Sequence, residues 1–178
     1  NVTDQCGIFR KNLQNKDRPM SEINVTDPEN ALVMETTQGQ VVIEMRPDLA
    51  PNHVARIKEL AREGFYDGIV FHRVIEGFMA QTGCPHGIGT GGSGQKLSAE
   101  FNDAKHQRGT ASMARAQDPD SADSQFFICF GDAGFLDGQY TVWGQVVSGM
   151  GNVDKIKRGE PVVDPDKIVS MKVVADVQ

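Results

Sequence analysis

Four things are scarce in this sequence, and each scarcity removes a class of protein. No uninterrupted apolar run approaches the ~20 residues that a membrane-spanning helix needs, so no membrane partner is expected. Basic residues are in deficit, with 18 Lys plus Arg against 24 Asp plus Glu and a net charge of −6. A dedicated nucleic-acid binder would show the opposite balance, so no nucleic-acid partner is expected either. There are only three cysteines, Cys6, Cys84 and Cys129, an odd count with no paired spacing. That pattern predicts reduced thiols in a cytoplasmic protein, not a disulfide scaffold. Asn1 to Lys16 has no apolar core of the kind a secretory or transit signal carries.

What is present fits one ordinary domain with a real core: 178 residues, 39% of them hydrophobic and 24% charged. Residues 1–30 are polar and lack periodicity, and are expected to form a flexible tail without chemistry. Within them, Met20-Ser-Glu-Ile reads as a native start, which would make residues 1–19 an upstream extension. The two Asn-Val-Thr triplets read as chance matches to a glycosylation acceptor. The folded domain is expected to span 31–178.

Ala31 to Thr36, a turn at Gln38-Gly39, and Gln40 to Arg46 predict a β-hairpin. Ala50 to Gly64 predicts a helix. Pro51 suits its first turn, Val54, Ile57, Leu60 and Ala61 form a stripe at helical spacing, and Gly64 is a stop. Strands are expected at 69–75, 78–81, 109–115, 125–130, 141–147 and 168–177. A long Gly-rich loop runs from Thr82 to Gln95, and a second short helix is expected at 153–158. A long run of strands separates the helices, which argues against a parallel βαβ sheet. The expected fold is mainly β: a closed eight-stranded antiparallel β-barrel capped by two α-helices.

Three segments stand out chemically. In Phe71-His-Arg-Val-Ile-Glu-Gly-Phe-Met-Ala-Gln81, alternation sets Phe71, Arg73 and Ile75 on one face and His72 and Val74 on the other. Arg73 thus sits in an apolar, β-rich stretch, either as a functional cation or as a surface arginine beside a core strand. In Ser124-Gln-Phe-Phe-Ile-Cys-Phe130, Phe126 and Ile128 share the core side. Gln125 and Phe127 then lie together on the other face, where an amide beside an apolar ring suggests a binding surface. Simple packing under a covering loop is the alternative. In Phe135-Leu-Asp-Gly-Gln-Tyr-Thr-Val-Trp-Gly144, Asp137-Gly138 is a turn signal. Phe135, Leu136 and Tyr140 could close an apolar pocket there, while Trp143 is expected in the core.

Together with Gly77-Phe-Met-Ala-Gln81 and Ser112-Met-Ala-Arg-Ala116, these segments resemble the motifs of the cyclophilin family of peptidyl-prolyl cis-trans isomerases, in the family's order and with similar spacing. The resemblance runs from about Leu32 to Val177. It implies acceleration of X–Pro bond isomerisation in peptides and in unfolded or folding proteins, with Arg73 as the catalytic residue. It implies a proline slot built by Phe78, Met79, Phe127 and Leu136 with Tyr140 at its edge, and Gln81 and Gln125 steering Arg73 and the substrate backbone. The peptide would lie along Ala114-Arg115-Ala116, hydrogen-bonding to the Arg115 backbone as an added strand does. Gly89 would line the neighbouring pocket.

Phe135 stands where many eukaryotic members carry tryptophan, and Tyr140 where they carry histidine; both choices look bacterial. The indole N–H is lost with that tryptophan, so cyclosporin is expected to bind weakly. No cofactor or metal is expected: Cys84, His86 and His106 include a Cys-Pro-His run but no second clustered pair. A monomer is expected. The alternative to an enzyme is a non-catalytic proline-peptide-binding or chaperone-like module on the same fold.

Overall fold

The computed structural model describes residues 25–177. In chain order the elements are β1 (Ala31–Thr36), β2 (Gly39–Met45), α1 (Pro51–Arg62), β3 (Arg73–Ile75), β4 (Met79–Thr82), β5 (Thr110–Met113), β6 (Phe126–Cys129), β7 (Val142–Ser148), α2 (Met150–Val153) and β8 (Ile168–Val173). Short 3-10 turns occupy Pro28–Asn30, Gly134–Leu136 and Val174–Asp176. All pairings in the sheet are antiparallel, in the order β3-β4-β6-β5-β7-β2-β1-β8.

The sheet curls into a half-barrel with two helices. The continuous closed ladder expected from the sequence does not form among the described residues, because β3 and β8 stand as the two edges. Irregular backbone spans the gap. Phe71 N–H donates to Asp166 O at 2.8 Å, Ile168 N–H donates to Ile69 O at 2.8 Å, and one isolated bridge joins Val70 to Lys167. β3 is only three residues long, too short to carry a ladder to β8.

Helix α1 forms where the apolar stripe predicts it. Pro51 opens it, and His53, Val54, Ile57, Leu60 and Ala61 are its buried residues. Ala50 offers no capping side chain. A distant carboxylate does that work: Glu100 accepts from the backbone N–H of Asn52 at 3.2 Å and of His53 at 2.8 Å. Gly64 follows in the left-handed region at φ 74°, where a side chain would be strained. The core behind the sheet centres on Trp143, Tyr66, Phe71 and Phe126, all fully buried. Trp143 and Tyr66 meet Phe126 edge-on, with ring centroids 5.4 Å and 5.5 Å away. Trp143 is therefore core, as its place inside a strand predicts.

Several boundaries differ from the sequence reading. The hairpin turn is Thr37-Gln38, since Thr36 already pairs with Gly39. The second helix lies three residues early, at Met150–Val153. Val153 and Ile156 are both buried, but the chain leaves helical geometry so that Gly159 can pair with Val74. The strand expected at 69–75 is regular only from Arg73, and this irregularity frees Phe71 from alternation. Phe71 packs with Val74 in the main core, away from Arg73. Upstream of β1, Val25 packs against Ala31, Val33, Val42 and Val174. The expectations for residues 1–24, which include Met20, Cys6, the first Asn-Val-Thr triplet and Asn24, fall outside the described residues.

Candidate active site

The site stands on the outer face of the sheet, not inside the barrel. Register builds it. β3 and β4 set Arg73 opposite Gln81 and Ile75 opposite Met79. β4 and β6 set Gln81 opposite Phe127 and Met79 opposite Cys129. Alternation then gathers Met79, Phe127 and Cys129 with Ala133 and Leu136 into an apolar cluster separate from the main core, with Ile75, Phe78, Ala114 and Tyr140 packed on it. Above this cluster is a slot of about 150 Å³, room for one small ring. Its walls are Phe78, Met79, Phe127, Leu136 and Tyr140, and Arg73, Gln81, Ala114 and Arg115 complete its lining.

Arg73 is held on two sides. Its Nε donates to Glu160 Oε1 at 3.0 Å and its Nη1 to Gln81 Oε1 at 3.3 Å. Among the described residues Nη2 has no protein partner. Gln81 passes the constraint on: its Nε2 donates to Gln125 Oε1 at 3.0 Å, and Gln125 Nε2 donates to the carbonyls of Gly89 and Gly91, both at 2.9 Å. A chain of amides therefore ties the guanidinium to the Gly-rich loop, with every donor and acceptor sense fixed by those end groups.

That loop is built around two buried anchors. Gly83 sits where a Cβ would lie 2.4 Å from Ser124 O, so only glycine lets the loop pass so close to the backbone leading into β6. The Cys84 sulfur accepts from Gly89 N–H at 3.3 Å and Gly91 N–H at 3.2 Å. Burial pushes the Cys84 thiol pKa up, but the backbone N–H groups of Gly91, Ile88, Gly89 and His86 outweigh it, and the net shift is downward. Burial, aided by the Asp137 charge, pushes the Cys129 thiol up to about 12. Both described cysteines are free and buried.

Next to the slot is a larger hollow of about 280 Å³, sharing Gln81, Ala114 and Arg115 with it and lined further by Gly89, Ala116 and Gln125. The Arg115 side chain is committed elsewhere. It donates to the carbonyls of Gln139, Ala116 and Gln117 and stacks over the Tyr140 ring at 4.6 Å. Its backbone N–H and C=O carry no hydrogen bond among the described residues. Of the residues expected at the site, Phe135 alone stands apart. It is 69% exposed, leans on Phe78 with ring centroids 5.5 Å apart, and forms the rim of the slot, not its wall.

Beneath the slot is a group that the sequence reading missed. His106 is buried and lies nearly parallel to Phe127, ring centroids 6.1 Å apart. Its Nδ1 is 2.9 Å from Asp137 Oδ1, and its Nε2 is 2.9 Å from Ser112 Oγ. Asp137 also accepts the His106 backbone N–H at 2.7 Å. That backbone N–H, then the His106 ring, hold the Asp137 carboxyl below the usual carboxylate range against the opposing effect of burial. The Ser–His–Asp order invites comparison with a hydrolase triad, but Ser112 is fully buried and its hydroxyl is 3.0 Å from Thr141 O. No substrate carbonyl can reach it, so the group is a buttress that sets Phe127 and the turn bearing Leu136. It also takes His106 away from any site with Cys84. Asp137-Gly138 was legible only as a turn, because nothing local says that the carboxylate reaches back to residue 106.

The comparisons with known proteins agree with this geometry. The family described as cyclophilin type peptidyl-prolyl cis-trans isomerase/CLD matches residues 31–173. A probable peptidyl-prolyl cis-trans isomerase of Brucella suis is 52% identical, covering 87% of this chain and 88% of the relative. Peptidyl-prolyl cis-trans isomerase B of Bacillus subtilis is 46% identical over 68% of this chain and 86% of its own. Among solved structures, a Hirschia baltica cyclophilin superposes with a TM-score of 0.79 at 32% identity, covering 85% of this chain and 76% of the other. A Cryptosporidium parvum cyclophilin-type isomerase, crystallised in the presence of the dipeptide Ala-Pro, gives 0.75 at 27% identity, covering 80% and 98%. A half-barrel of this topology, an arginine poised over a ring-sized apolar slot, and matches across nearly all the described residues lead to one assignment: the chain belongs to the cyclophilin-type peptidyl-prolyl cis-trans isomerases.

Proposed function

We propose that the isomerase acts on X–Pro bonds laid across the slot, with the proline ring against Met79, Phe127 and Leu136 and with Arg73 as the catalytic residue. Rotation about an amide bond faces a barrier of ~18–20 kcal/mol, because it breaks resonance. No nucleophile is required; the enzyme needs only to bind the twisted amide better than the planar one. A five-orders acceleration corresponds to roughly 7 kcal/mol of that preference. In the twisted state the proline nitrogen turns pyramidal and regains its lone pair. A guanidinium N–H can then donate to it, which the planar amide does not permit. The observation that carries this reading is that Arg73 lines the slot with Nε and Nη1 held and with Nη2 without a partner among the described residues.

The peptide before proline would run along Ala114-Arg115-Ala116. The unpaired Arg115 backbone groups favour strand-like pairing there. Side chains preceding proline would fall over the hollow bounded by Gly89, Ala116 and Gln125. The substrates we infer are proline-containing peptides and unfolded or folding proteins, in line with the Ala-Pro dipeptide used with the Cryptosporidium relative. A cytoplasmic location fits the two free thiols among the described residues. Cyclosporin would occupy the same slot weakly, since Phe135 at the rim has no N–H to donate. A purely binding module would not need a cation with a free donor over the slot, and the enzyme reading takes precedence for that reason. A protease-coupled assay on a short X–Pro peptide tests it. The expected result is exchange many orders faster than the uncatalysed tens to hundreds of seconds; the uncatalysed rate at micromolar protein would overturn it.

A further inference from the structure

We propose that Glu160 is a positioning residue for Arg73, orienting the guanidinium so that Nη2 faces the slot. The proposal rests on Arg73 being the catalytic group. Glu160 comes from a segment between α2 and β8, distant in sequence from every motif of the site, and its carboxylate takes the Nε–H of Arg73 at 3.0 Å. Gln81 takes Nη1 from the opposite strand. Two acceptors on different edges fix the plane of a rigid fork, and one acceptor would leave it free to swing about its bond.

The segment bearing Glu160 is itself anchored, which an incidental surface pair would not need. Gly159 and Val74 exchange backbone hydrogen bonds in both directions, at 2.9 Å and 2.8 Å, so Glu160 is docked against the free edge of β3, one residue from Arg73. Val162 N–H donates to His72 O at 3.1 Å, and the Val162 side chain is buried in the main core. On the other side Arg158 pairs with Glu76, donates to the carbonyls of Asp154 and Ile156, and lies 4.3 Å over the Phe130 ring. The carboxylate is thus delivered from a fixed platform, while its own side chain and that of Arg73 remain 61% and 38% exposed. Such exposure limits what the pair contributes to stability. Its effect should appear in the orientation of Arg73 and hence in turnover.

The test uses the full chain with Glu160→Ala, Glu160→Gln and Arg73→Ala in parallel, reading kcat and KM on an X–Pro peptide, Tm, and the Arg73 Nε–Hε resonance by NMR. Glu160→Ala should lower kcat by about two- to fivefold, the scale of one exposed charge-assisted contact, with KM within about twofold. Glu160→Gln should recover most of kcat, because an amide oxygen still accepts from Nε. The Nε–Hε signal should be protected from solvent exchange in wild type and Glu160→Gln and exchange freely in Glu160→Ala. Unchanged or increased kcat in Glu160→Ala, with Arg73→Ala inactive, would overturn this proposal alone. An equal fall in both Glu160 variants accompanied by a lowered Tm would reduce Glu160 to a structural role and overturn it too. Full activity in Arg73→Ala would overturn the catalytic reading and this proposal with it.

Discussion

Gln125→Leu breaks the amide chain at its centre without touching Arg73. The substitution leaves an apolar side chain one atom shorter and removes three hydrogen bonds: those donated to Gly89 O and Gly91 O, and the one accepted from Gln81 Nε2. Each is worth ~0.5–1.5 kcal/mol net. Gln125 is half-buried and water can replace part of what is lost, so the lower end applies, about 1.5–2 kcal/mol in all. For a chain of this size that lowers Tm by roughly 3–8 °C. The kinetic effect is separate. Once Gln81 is no longer held by Gln125, its carbonyl is not aimed at Arg73 Nη1, and one ordering contact on the guanidinium is weakened. A loss of about 1 kcal/mol in transition-state binding would cut kcat/KM by about fivefold. The assay is protease-coupled isomerisation, with thermal unfolding followed by circular dichroism. If kcat/KM stays within twofold of wild type while Tm falls, the relay does not reach the guanidinium and the reasoning fails. If activity falls as far as in Arg73→Ala, Gln125 acts on the substrate directly.

Two further outcomes follow from the surroundings of the slot. Phe135→Trp should tighten cyclosporin by about two- to tenfold in titration calorimetry, one hydrogen bond's worth; the rim position of Phe135 keeps the gain at that scale, and equal affinities would mean that the ring does not face the drug. Asp137 has a folded-state pKa below its unfolded value, so its contribution is complete above the ordinary carboxylate pKa of ~3.9 and is lost as pH falls through the lower folded value. Asp137→Asn should therefore lower Tm at pH 7, and the gap from wild type should narrow below about pH 4; a gap that is constant with pH would remove the charge from the account.

Local signals made much of the architecture legible. The α1 stripe from Val54 to Ala61 and the alternation of Gln125, Phe126, Phe127 and Ile128 both hold in the structure, because each depends on a period that neighbouring residues set. Phe71 broke its expected alternation because the regular strand starts only at Arg73, and strand starts depend on partners far along the chain. The lining of the slot was legible through motif order, and every residue assigned to it by resemblance is found there or in the adjoining hollow except Phe135. The supports were not. Glu160 reaches Arg73 across 87 residues and Asp137 reaches His106 across 31, and neither carries a local pattern that reveals its partner. The open edge between β3 and β8 was hidden for the same reason, since strand inventory counts strands but does not say which edges meet.

The most direct measurement is kcat/KM of Arg73→Ala against wild type on an X–Pro peptide, with circular dichroism and Tm taken on the same preparations. Arg73 is partly exposed, and its partners Glu160 and Gln81 can turn to water, so the variant should fold. Losing a donor aimed at the twisted amide should cost about 10²–10³ in kcat/KM, the range for a single preorganised transition-state donor. A folded Arg73→Ala protein with near wild-type kcat/KM would contradict the account.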